Sequence, residues 1–348
     1  MPSLERQFFA LPIVDVVGET EDAHSIVFEV PAEDRALFTY KPGQFLTLHL
    51  PIGEKGLDRC YSLSSAPGVD ATMKVTVKRV SGGIGSNWIC DNCRPGMTID
   101  VLAPAGVFTP RAFDGDFLMF AGGSGITPVV SIIKSALAHG KGRVNLVYAN
   151  RDQRSVIFGN ELKELASAHP DRLIVIHWLE SVQGLPNVEQ LAALVRPWRQ
   201  AEAFICGPEP FMQTVKAALT SLDCDSARVH LERFVSLPGA SVEVEAVTSN
   251  DAEPDLVDLT VELDGTRHHL EWPPAQHLLD VLLDAGLEAP FSCRLGACSA
   301  CMCHLESGEV TLDQNTVLER DELARGWILA CQAKPASAAV VISYEAQC

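Results

Sequence analysis

The sequence predicts a multi-domain chain with an antiparallel β-barrel, an α/β domain built on a parallel sheet, and a smaller α+β domain. The length of 348 residues suits two or three domains, each able to bury its own core. The first hundred residues contain short β-branched runs separated by glycine turns, which is typical of a barrel. From about Asp114 strand and helix patterns alternate, which indicates a parallel sheet covered on both faces.

The barrel is predicted over residues 1–112. Pro-Gly pairs at 42–43, 67–68 and 95–96 separate its apolar runs and favour tight turns. The predicted strands are Ser25–Val30, Gln44–Leu50, Met73–Val80 and Thr98–Leu102.

The α/β domain is predicted over residues 113–236. Its strands are Phe117–Ala121, Val144–Tyr148, Leu173–Trp178 and Ala203–Cys206. Apolar residues at helical spacing predict the intervening helices Pro128–His139, Glu161–Ala168, Val188–Val195 and Pro210–Leu222.

Residues 237–256 are rich in small and acidic residues, and they predict a linker. The last domain is predicted over residues 257–348. It opens with two paired strands, Asp258–Leu263 and His268–Trp272, joined by an Asp-Gly turn. A helix is predicted over Gln276–Ala285, before a loop dense in cysteine.

Composition excludes several classes of function. A net charge of −18 argues against nucleic acid and against an anionic membrane surface as partners. The longest uncharged run, Phe117–Ile133, contains three glycines and a proline, so it does not predict a membrane span. The N-terminal segment carries charges where a secretory signal needs an apolar core. We therefore expect a cytoplasmic protein whose eleven cysteines are reduced.

Four cysteines predict a [2Fe–2S] cluster. Cys293, Cys298 and Cys301 form C-x4-C-x2-C, and Cys331 follows after 29 residues, which is the plant-type spacing. The small residues of this loop allow backbone N–H groups to approach the sulfurs. The alternatives are four inert buried thiols or a zinc site, although zinc sites usually pair two C-x2-C arms. Cys303 breaks the spacing and predicts a packed thiol on a following strand.

The stretch RCYSLSS, residues 59–65, resembles the R-x-Y-S motif of the ferredoxin–NADP reductase-like superfamily. That resemblance implies that Arg59 holds a flavin phosphate, Tyr61 packs against the isoalloxazine ring and Ser62 hydrogen-bonds near flavin N5. Residues 77–79 and the stretch GGIGSNW, residues 82–88, follow at the family's distance and favour FAD over FMN. The implied flavin site adds Val77, Lys78, Gly85 and Ser86.

The stretch AGGSGITP, residues 121–128, is a glycine turn between a strand and a helix, where backbone can approach a phosphate closely. By the same resemblance Thr127 approaches both flavin and nicotinamide, Cys206 lies beside the nicotinamide, and Glu232 ends the domain near the flavin. Arg151 is expected to meet an adenosine ribose or a 2′-phosphate, with NADH favoured and NADPH left open. The implied nucleotide site comprises Gly122, Gly123, Gly125, Thr127, Tyr148, Arg151, Cys206, Gly207, Pro208 and Phe211.

The domain order resembles the reductase components of multicomponent oxygenases, in which a β-grasp ferredoxin domain follows the nucleotide domain. Within them, ANRDQRSVIFG (149–159) and HWLESVQGLP (177–186) favour reductases that serve steroid hydroxylases. The resemblance implies an NAD(P)H-dependent oxidoreductase that passes electrons through FAD and the cluster to a Rieske-type terminal oxygenase.

Other functions remain open. The alternatives are another oxygenase reductase, such as that of phenylacetyl-CoA epoxidase, a stand-alone flavin reductase, or a redox sensor. A thiol–disulfide exchanger using Cys90 and Cys93 is a further alternative, because these residues form a C-x2-C pair. The terminal Cys348 has no predicted role.

Overall fold

A computed structural model describes residues 8–54, 56–234 and 256–345. These residues divide into two compact units. The larger unit comprises residues 8–52 and 59–234, and the smaller comprises residues 53–58 and the described part of 235–348. The predicted linker 237–256, apart from Leu256, and Cys348 lie outside the described residues.

The first part of the larger unit is an antiparallel barrel of six strands. Its order is β4-β3-β6-β1-β2-β5, and the edges meet where Leu63, directly after β4, bridges to Val75 of β5. This bridge closes the sheet on itself, and it confirms the predicted barrel. Helix α1 (Ile84–Asn92) follows the fifth strand. The strands are β1 (Phe9–Thr20), β2 (Ala23–Phe28), β3 (Phe45–Leu50), β4 (Leu57–Ser62), β5 (Met73–Lys78) and β6 (Thr98–Val101).

The second part of the larger unit is a five-stranded parallel sheet in the order β11-β10-β7-β8-β9. Helices cover both faces, as predicted. The chain runs outward from β7 in one direction and returns to β10 on its other side, so the switch point lies between β7 and β10. The strands are β7 (Phe117–Gly122), β8 (Val144–Asn150), β9 (Leu173–Leu179), β10 (Glu202–Cys206) and β11 (Val229–Glu232). The helices are α2 (Ile126–His139), α3 (Gly159–Ala168), α4 (Glu180–Gln183), α5 (Val188–Val195) and α6 (Glu209–Ser221).

Alternate residues of the central strands pack on opposite faces of this sheet. Met119 and Phe204 lie in a core with α2 and α3, whereas Leu118 and Ile205 lie in a second core with α5 and α6. A strand buried on both faces favours apolar side chains on both, which explains the apolar runs Phe117–Ala121 and Ala203–Cys206.

The smaller unit has a mixed five-stranded sheet in the order β13-β12-β18-β14-β16 and a short pair, β15-β17. Its core includes the fully buried Trp272 and Leu282, together with Cys301 and Cys331. The strands are β12 (Val257–Leu263), β13 (Thr266–Trp272), β14 (Met302–Ser307), β15 (Val310–Leu312), β16 (Trp327–Leu329), β17 (Ala333–Pro335) and β18 (Ala339–Ser343). The helices are α7 (Leu278–Asp284) and α8 (Arg320–Ala324). The combination of a mixed sheet and two short helices in this small unit agrees with the α+β prediction.

Across the described ranges, no helix has both the length and the apolar character needed to cross a bilayer. The long uncharged run Phe117–Ile133 forms strand β7, a glycine turn and the first half of α2.

Candidate functional site

The segment Arg59–Ser62 is the second half of β4 and packs against the first turn of α1. A Cβ on Gly85 would lie 2.9 Å from Arg59 Cγ and 3.5 Å from the Tyr61 hydroxyl, so a bare backbone is needed for this approach. Burial raises the pKa of Tyr61, and the Arg59 charge opposes that rise. Ser62 is buried. A guanidinium, a phenol and a helix N-terminus thus lie together, which suits a pyrophosphate and a flat ring.

Three other predicted flavin residues have different surroundings. The Ser86 hydroxyl accepts a hydrogen bond from Val80 N at 3.1 Å, so it supports the turn before α1. Val77 is fully buried in the barrel. Lys78 Nζ lies 3.7 Å from an Asp22 carboxylate oxygen and 3.8 Å from where a Cβ on Gly123 would stand. Of these three, Lys78 brings a charge to the glycine turn.

The glycine turn after β7 meets the loop after β10 backbone to backbone, at the switch point of the sheet. A Cβ on Gly125 would lie 2.1 Å from Cys206 O, and one on Gly122 would lie 2.7 Å from Pro208 Cδ. A Cβ on Gly207 would lie 2.9 Å from Gly122 N. Open α/β sheets bind ligands at such a switch point, outside the carboxyl ends of the strands. The structure therefore brings together the two nucleotide motifs that the sequence holds about eighty residues apart.

Tyr148 and Thr127 hold the glycine turn in place. The Tyr148 hydroxyl donates to Gly123 O at 3.1 Å and accepts from Ile157 N at 3.2 Å. Burial raises the pKa of Tyr148, and its side chain is fully buried. Thr127 Oγ1 donates to Ser124 O at 3.0 Å. Tyr148 thus supports the turn from inside the domain, while Thr127 lies in the first turn of α2.

Two further predicted nucleotide residues lie at the edges of this region. Arg151 is largely exposed, and its Nη2 is 3.2 Å from Asp22 Oδ2 on the hairpin between β1 and β2. Phe211, in the first turn of α6, would lie 3.0 Å from a Cβ on Gly207, so its ring covers the loop after β10. The resemblance implied that Arg151 and Phe211 contact the ligand. In the structure Arg151 also pairs with Asp22, and Phe211 also packs on the loop after β10.

Cys206 and Glu232 are direct neighbours on the parallel strands β10 and β11. The Cys206 side chain is fully buried, and burial, followed by the charge of Glu232, raises the pKa of its thiol well above the ordinary value. Although part of Glu232 reaches the surface, its Oε2 atom is buried and has no hydrogen-bond partner. Burial raises the pKa of the Glu232 carboxyl to about 8. A neutral thiol and a neutral carboxyl therefore lie side by side at neutral pH.

We expect Glu232→Gln to flatten the pH dependence of stability. Between the ordinary pKa of 4.5 and about 8, the folded chain keeps this proton and the unfolded chain has lost it. Raising the pH through that window thus destabilises the wild-type protein by about 1.4 kcal/mol per pH unit for this one proton. Urea unfolding of FAD-free protein at pH 5.5 and 8.0 measures the difference. Equal pH dependence in wild type and Glu232→Gln would contradict a buried neutral carboxyl.

The four predicted cluster cysteines converge in the smaller unit. Cys293, Cys301 and Cys331 are buried, and Cys298 is half-buried. Cys293 N donates to Cys298 Sγ at 3.4 Å, and Leu295 N donates to Cys293 Sγ at 3.3 Å. The Cys301 thiol donates to Cys331, which lowers the pKa of Cys331. Donors aimed at the sulfurs of Cys293, Cys298 and Cys331 favour thiolate, the form that binds metal, whereas the same hydrogen bond and burial raise the pKa of the Cys301 thiol well above its ordinary value.

The shape of this loop depends on left-handed backbone. Arg294, Gly296 and Ser299 have φ of 57°, 67° and 55°. A Cβ on Gly296 would lie 2.7 Å from Gln314 O, and Gly296 O in turn accepts from Thr316 N at 3.0 Å. Glycine is required there both for its φ and for space.

The donor set consists of four thiols, which fits a two-iron cluster. In a [2Fe–2S] centre the four thiolates are shared between two irons. The thiols that would hold it are Cys293, Cys298, Cys301 and Cys331.

The remaining cysteines offer no support for thiol exchange. Cys90 and Cys93 are buried, and burial raises the pKa of both thiols, that of Cys93 to about 11. An exchanging thiol needs a lowered pKa and access to solvent. Cys303 lies fully buried on β14, where the sequence predicted a packed thiol. Burial raises the pKa of Cys303 to about 12.

Sequence reasoning missed two residues that tie the site together. Asp22 accepts from Arg151 and lies near Lys78, so one hairpin carboxylate serves both predicted cations. Lys134 is buried within α2 and paired with two carboxylates. A lysine among apolar helical positions was a usable signal for Lys134, whereas nothing around Asp22 marked it.

Comparison with known proteins agrees with this site. An oxidoreductase FAD-binding domain model matches residues 10–109, an oxidoreductase NAD-binding domain model matches 119–217, and a 2Fe–2S iron–sulfur cluster binding domain model matches 261–336. The fold and site thus define an oxidoreductase with FAD-, NAD- and 2Fe–2S-binding domains, and the predicted cofactor classes are confirmed.

The relatives narrow the class. The ferredoxin reductase component of 3-ketosteroid-9-alpha-monooxygenase from Rhodococcus rhodochrous is 53% identical over 329 residues, 93% of each chain. A component of the 1,2-phenylacetyl-CoA epoxidase from Escherichia coli (strain K12) is 34% identical, over 98% of each chain. The structure of phthalate dioxygenase reductase aligns with a TM-score of 0.59 and 25% identity, covering 99% of this chain and 100% of that one. The chain belongs to the family of monooxygenase ferredoxin reductase components, and the predicted resemblance is confirmed.

Proposed function

We propose that the protein passes electrons from NADH, through FAD and a [2Fe–2S] cluster, to the Rieske-type terminal oxygenase of a 3-ketosteroid 9α-hydroxylase. The observation that carries the proposal is one chain holding both a switch-point nucleotide site and a four-thiol loop. When bound, FAD converts a two-electron donor into one-electron steps, and the cluster carries single electrons. The choice of steroid follows the 53% identical relative.

In this proposal each residue has a physical task. Arg59 and the N-terminus of α1 neutralise the FAD pyrophosphate, because a cation and free N–H groups both favour an anion. Ser62 and Thr127 orient the flavin and the nicotinamide from the barrel side and the nucleotide side. Cys206 and Glu232, both neutral, close the end of the cleft against water without adding charge beside the nicotinamide.

We further propose NADH as the donor and the cytoplasm as the location. Arg151, the predicted candidate for a 2′-phosphate, is already paired with Asp22 at 3.2 Å. Binding NADPH through Arg151 would require breaking that pair. The cytoplasm supplies NADH and keeps thiols reduced, and every described cysteine is free of disulfide.

The acidic charge of the C-terminal part supports the proposal that the oxygenase docks through a basic surface. Residues 251–348 contain 17 Asp and Glu against 5 Lys and Arg, which accounts for −12 of the total charge of −18. Opposite charges steer association, and salt screens them. We therefore expect the rate of electron transfer to the oxygenase to fall as salt is raised.

Anaerobic titration of the FAD- and cluster-loaded protein with NADH tests the proposal. We expect both flavin and iron–sulfur absorbance to bleach, and a purified 3-ketosteroid 9α-hydroxylase oxygenase then to be reduced. The oxygenase of a phenylacetyl-CoA epoxidase is the comparison acceptor. Bleaching of the flavin alone would favour a stand-alone flavin reductase. Faster turnover with the epoxidase oxygenase would favour a reductase of the phenylacetyl-CoA epoxidase kind.

A further inference from the structure

An ion network around a buried lysine joins the barrel to the nucleotide-binding sheet. The Lys134 side chain in α2 is only 4% exposed, and its Nζ lies 2.7 Å from Asp70 Oδ2 and 2.9 Å from Glu161 Oε1. Lys74 Nζ lies 3.8 Å from Glu161 Oε2. We call these four residues the Lys134 network. Asp70 and Lys74 belong to the barrel, whereas Lys134 and Glu161 belong to the α/β part.

The network is a poor choice for stability alone. Desolvating buried charges offsets most of their Coulomb attraction, so replacing a whole set of paired charges by apolar residues of similar size often costs a core little. Every residue of α2 from Ile126 to Leu137 is buried, so Lys134 is a charged side chain in an otherwise buried stretch of helix. An apolar residue would not fix the direction of the side chain, because it makes no directed contact with a particular partner. Two carboxylates from two different domains fix where the lysine, and hence the helix, lies.

A second contact holds the same face of α2 one turn earlier. Ser131 Oγ donates to Ser65 O at 2.6 Å, and Ser131 and Lys134 share a face because they are three residues apart. Ser65 Oγ in turn accepts from Lys74 N at 2.9 Å. The segment from Ser65 to Lys74 is therefore bound to α2 at Ser65 and at Asp70.

The stretch ANRDQRSVIFG (149–159) leads into α3 and so positions Glu161, on the far side of the network. Phe158 is buried in left-handed backbone, φ 59°, directly before α3. Its ring lies 5.0 Å beneath Lys74 Nζ, close enough for a cation–π contact. This turn places Glu161, in the first turn of α3, between the two lysines.

The barrel segment and the helix that the network joins both continue into the cofactor site. Ser65 follows Ser62 by three residues, and α2 begins at the glycine turn and carries Thr127 in its first turn. We propose that Lys134 is a positioning residue, which sets α2 against the barrel and so sets the separation of Ser62 and Thr127. This inference rests on the proposed function, in which flavin and nicotinamide meet between those two residues.

The test compares Lys134→Met, Lys134→Arg and the exposed control Lys163→Met. Stopped-flow reduction of bound flavin by NADH and by NADH deuterated at C4 gives the limiting rate constant, the NADH affinity and the isotope effect. We expect Lys134→Met to lower the limiting rate constant by at least about tenfold, because small misplacements of reacting groups are costly. NADH affinity should change less than about threefold, and the isotope effect should rise. Lys134→Arg should recover most of the rate, and Lys163→Met should match wild type.

A readout independent of turnover is hydrogen–deuterium exchange. In Lys134→Met we expect faster exchange in residues 65–74 and in α2 together, with FAD content and the dithionite-reduced cluster spectrum unchanged. Asp70→Asn, which keeps the side-chain shape, should act in the same direction if Lys134→Met does not fold. Wild-type flavin-reduction rates in both variants would overturn the positioning role. Failure of NADH to reduce the wild-type flavin would instead overturn the proposed function.

Discussion

Cys331→Ala is expected to abolish electron transfer to the oxygenase while leaving the flavin reaction intact. Cys331 is the fourth predicted cluster ligand, and it lies in a segment separate from the loop that holds the other three. It accepts hydrogen bonds from the Cys301 thiol and, at 3.6 Å, from Gln332 Nε2. Removing it leaves three thiolates for two irons, which cannot complete the cluster. We expect oxygenase reduction to fall by at least about 100-fold, more than the loss of an outer-shell partner costs.

The measurements for this variant are iron and sulfide content, visible absorbance, and NADH oxidation with ferricyanide. Ferricyanide takes electrons from the flavin, so its reduction should stay near the wild-type rate. Cys303→Ala is the matched control, because Cys303 is fully buried in the same core but lies outside the four-thiol set. It should keep the cluster. A Cys331→Ala protein with full iron content and normal oxygenase reduction would show that the four-thiol assignment is wrong.

The parts of the fold that local patterns determine were predictable. Strand β7 and helix α2 are a short unbroken apolar run before a glycine turn, followed by apolar residues at helical spacing, and length and flanking glycines assign each pattern. Strand β1 was missed, because Pro12, Asp15 and Gly18 interrupt its apolar character. Its extended backbone is fixed instead by pairing with both β2 and β6, the second of which is distant in sequence. Such long-range pairing leaves no local signature.

The same distinction separates the site residues. Three of the cluster cysteines and each glycine turn lie in contiguous motifs, so the sequence displays their chemistry directly. Tyr148 illustrates the limit, because the resemblance implied a ligand contact and did not show that the hydroxyl also donates to Gly123 O. Asp22 and Asp70 were invisible, since a surface carboxylate is common and only folding reveals that its partner lies in another domain. Interdomain contacts are therefore the part of this site that sequence reasoning could not reach.

Gly125→Ala is expected to disrupt nucleotide binding and flavin reduction strongly. Gly125 has φ −60° and ψ −8°, a conformation that alanine adopts readily. By backbone preference alone the change would stabilise the chain by about 0.4–1 kcal/mol. Space decides otherwise, because the new Cβ would lie 2.1 Å from Cys206 O, a backbone atom that cannot rotate away. Relief requires the two loops at the switch point to separate by about 1 Å or more, the shift that brings this contact to an ordinary distance.

That separation moves Thr127 and Cys206 apart, and a misplacement of this size costs about 100-fold in rate. Overpacking should also lower the free energy of unfolding by about 1–3 kcal/mol. Gly115→Ala is the control, because nothing lies within 4 Å of its added Cβ and the residue belongs to the same domain. Stopped-flow flavin reduction and urea unfolding of both variants separate the two effects. Gly123 has φ 53°, and a Cβ there would not contact the neighbouring loop. Gly123→Ala should therefore be strained by its left-handed backbone conformation. Wild-type rates in Gly125→Ala would mean that the loops at the switch point are free to part without loss of function.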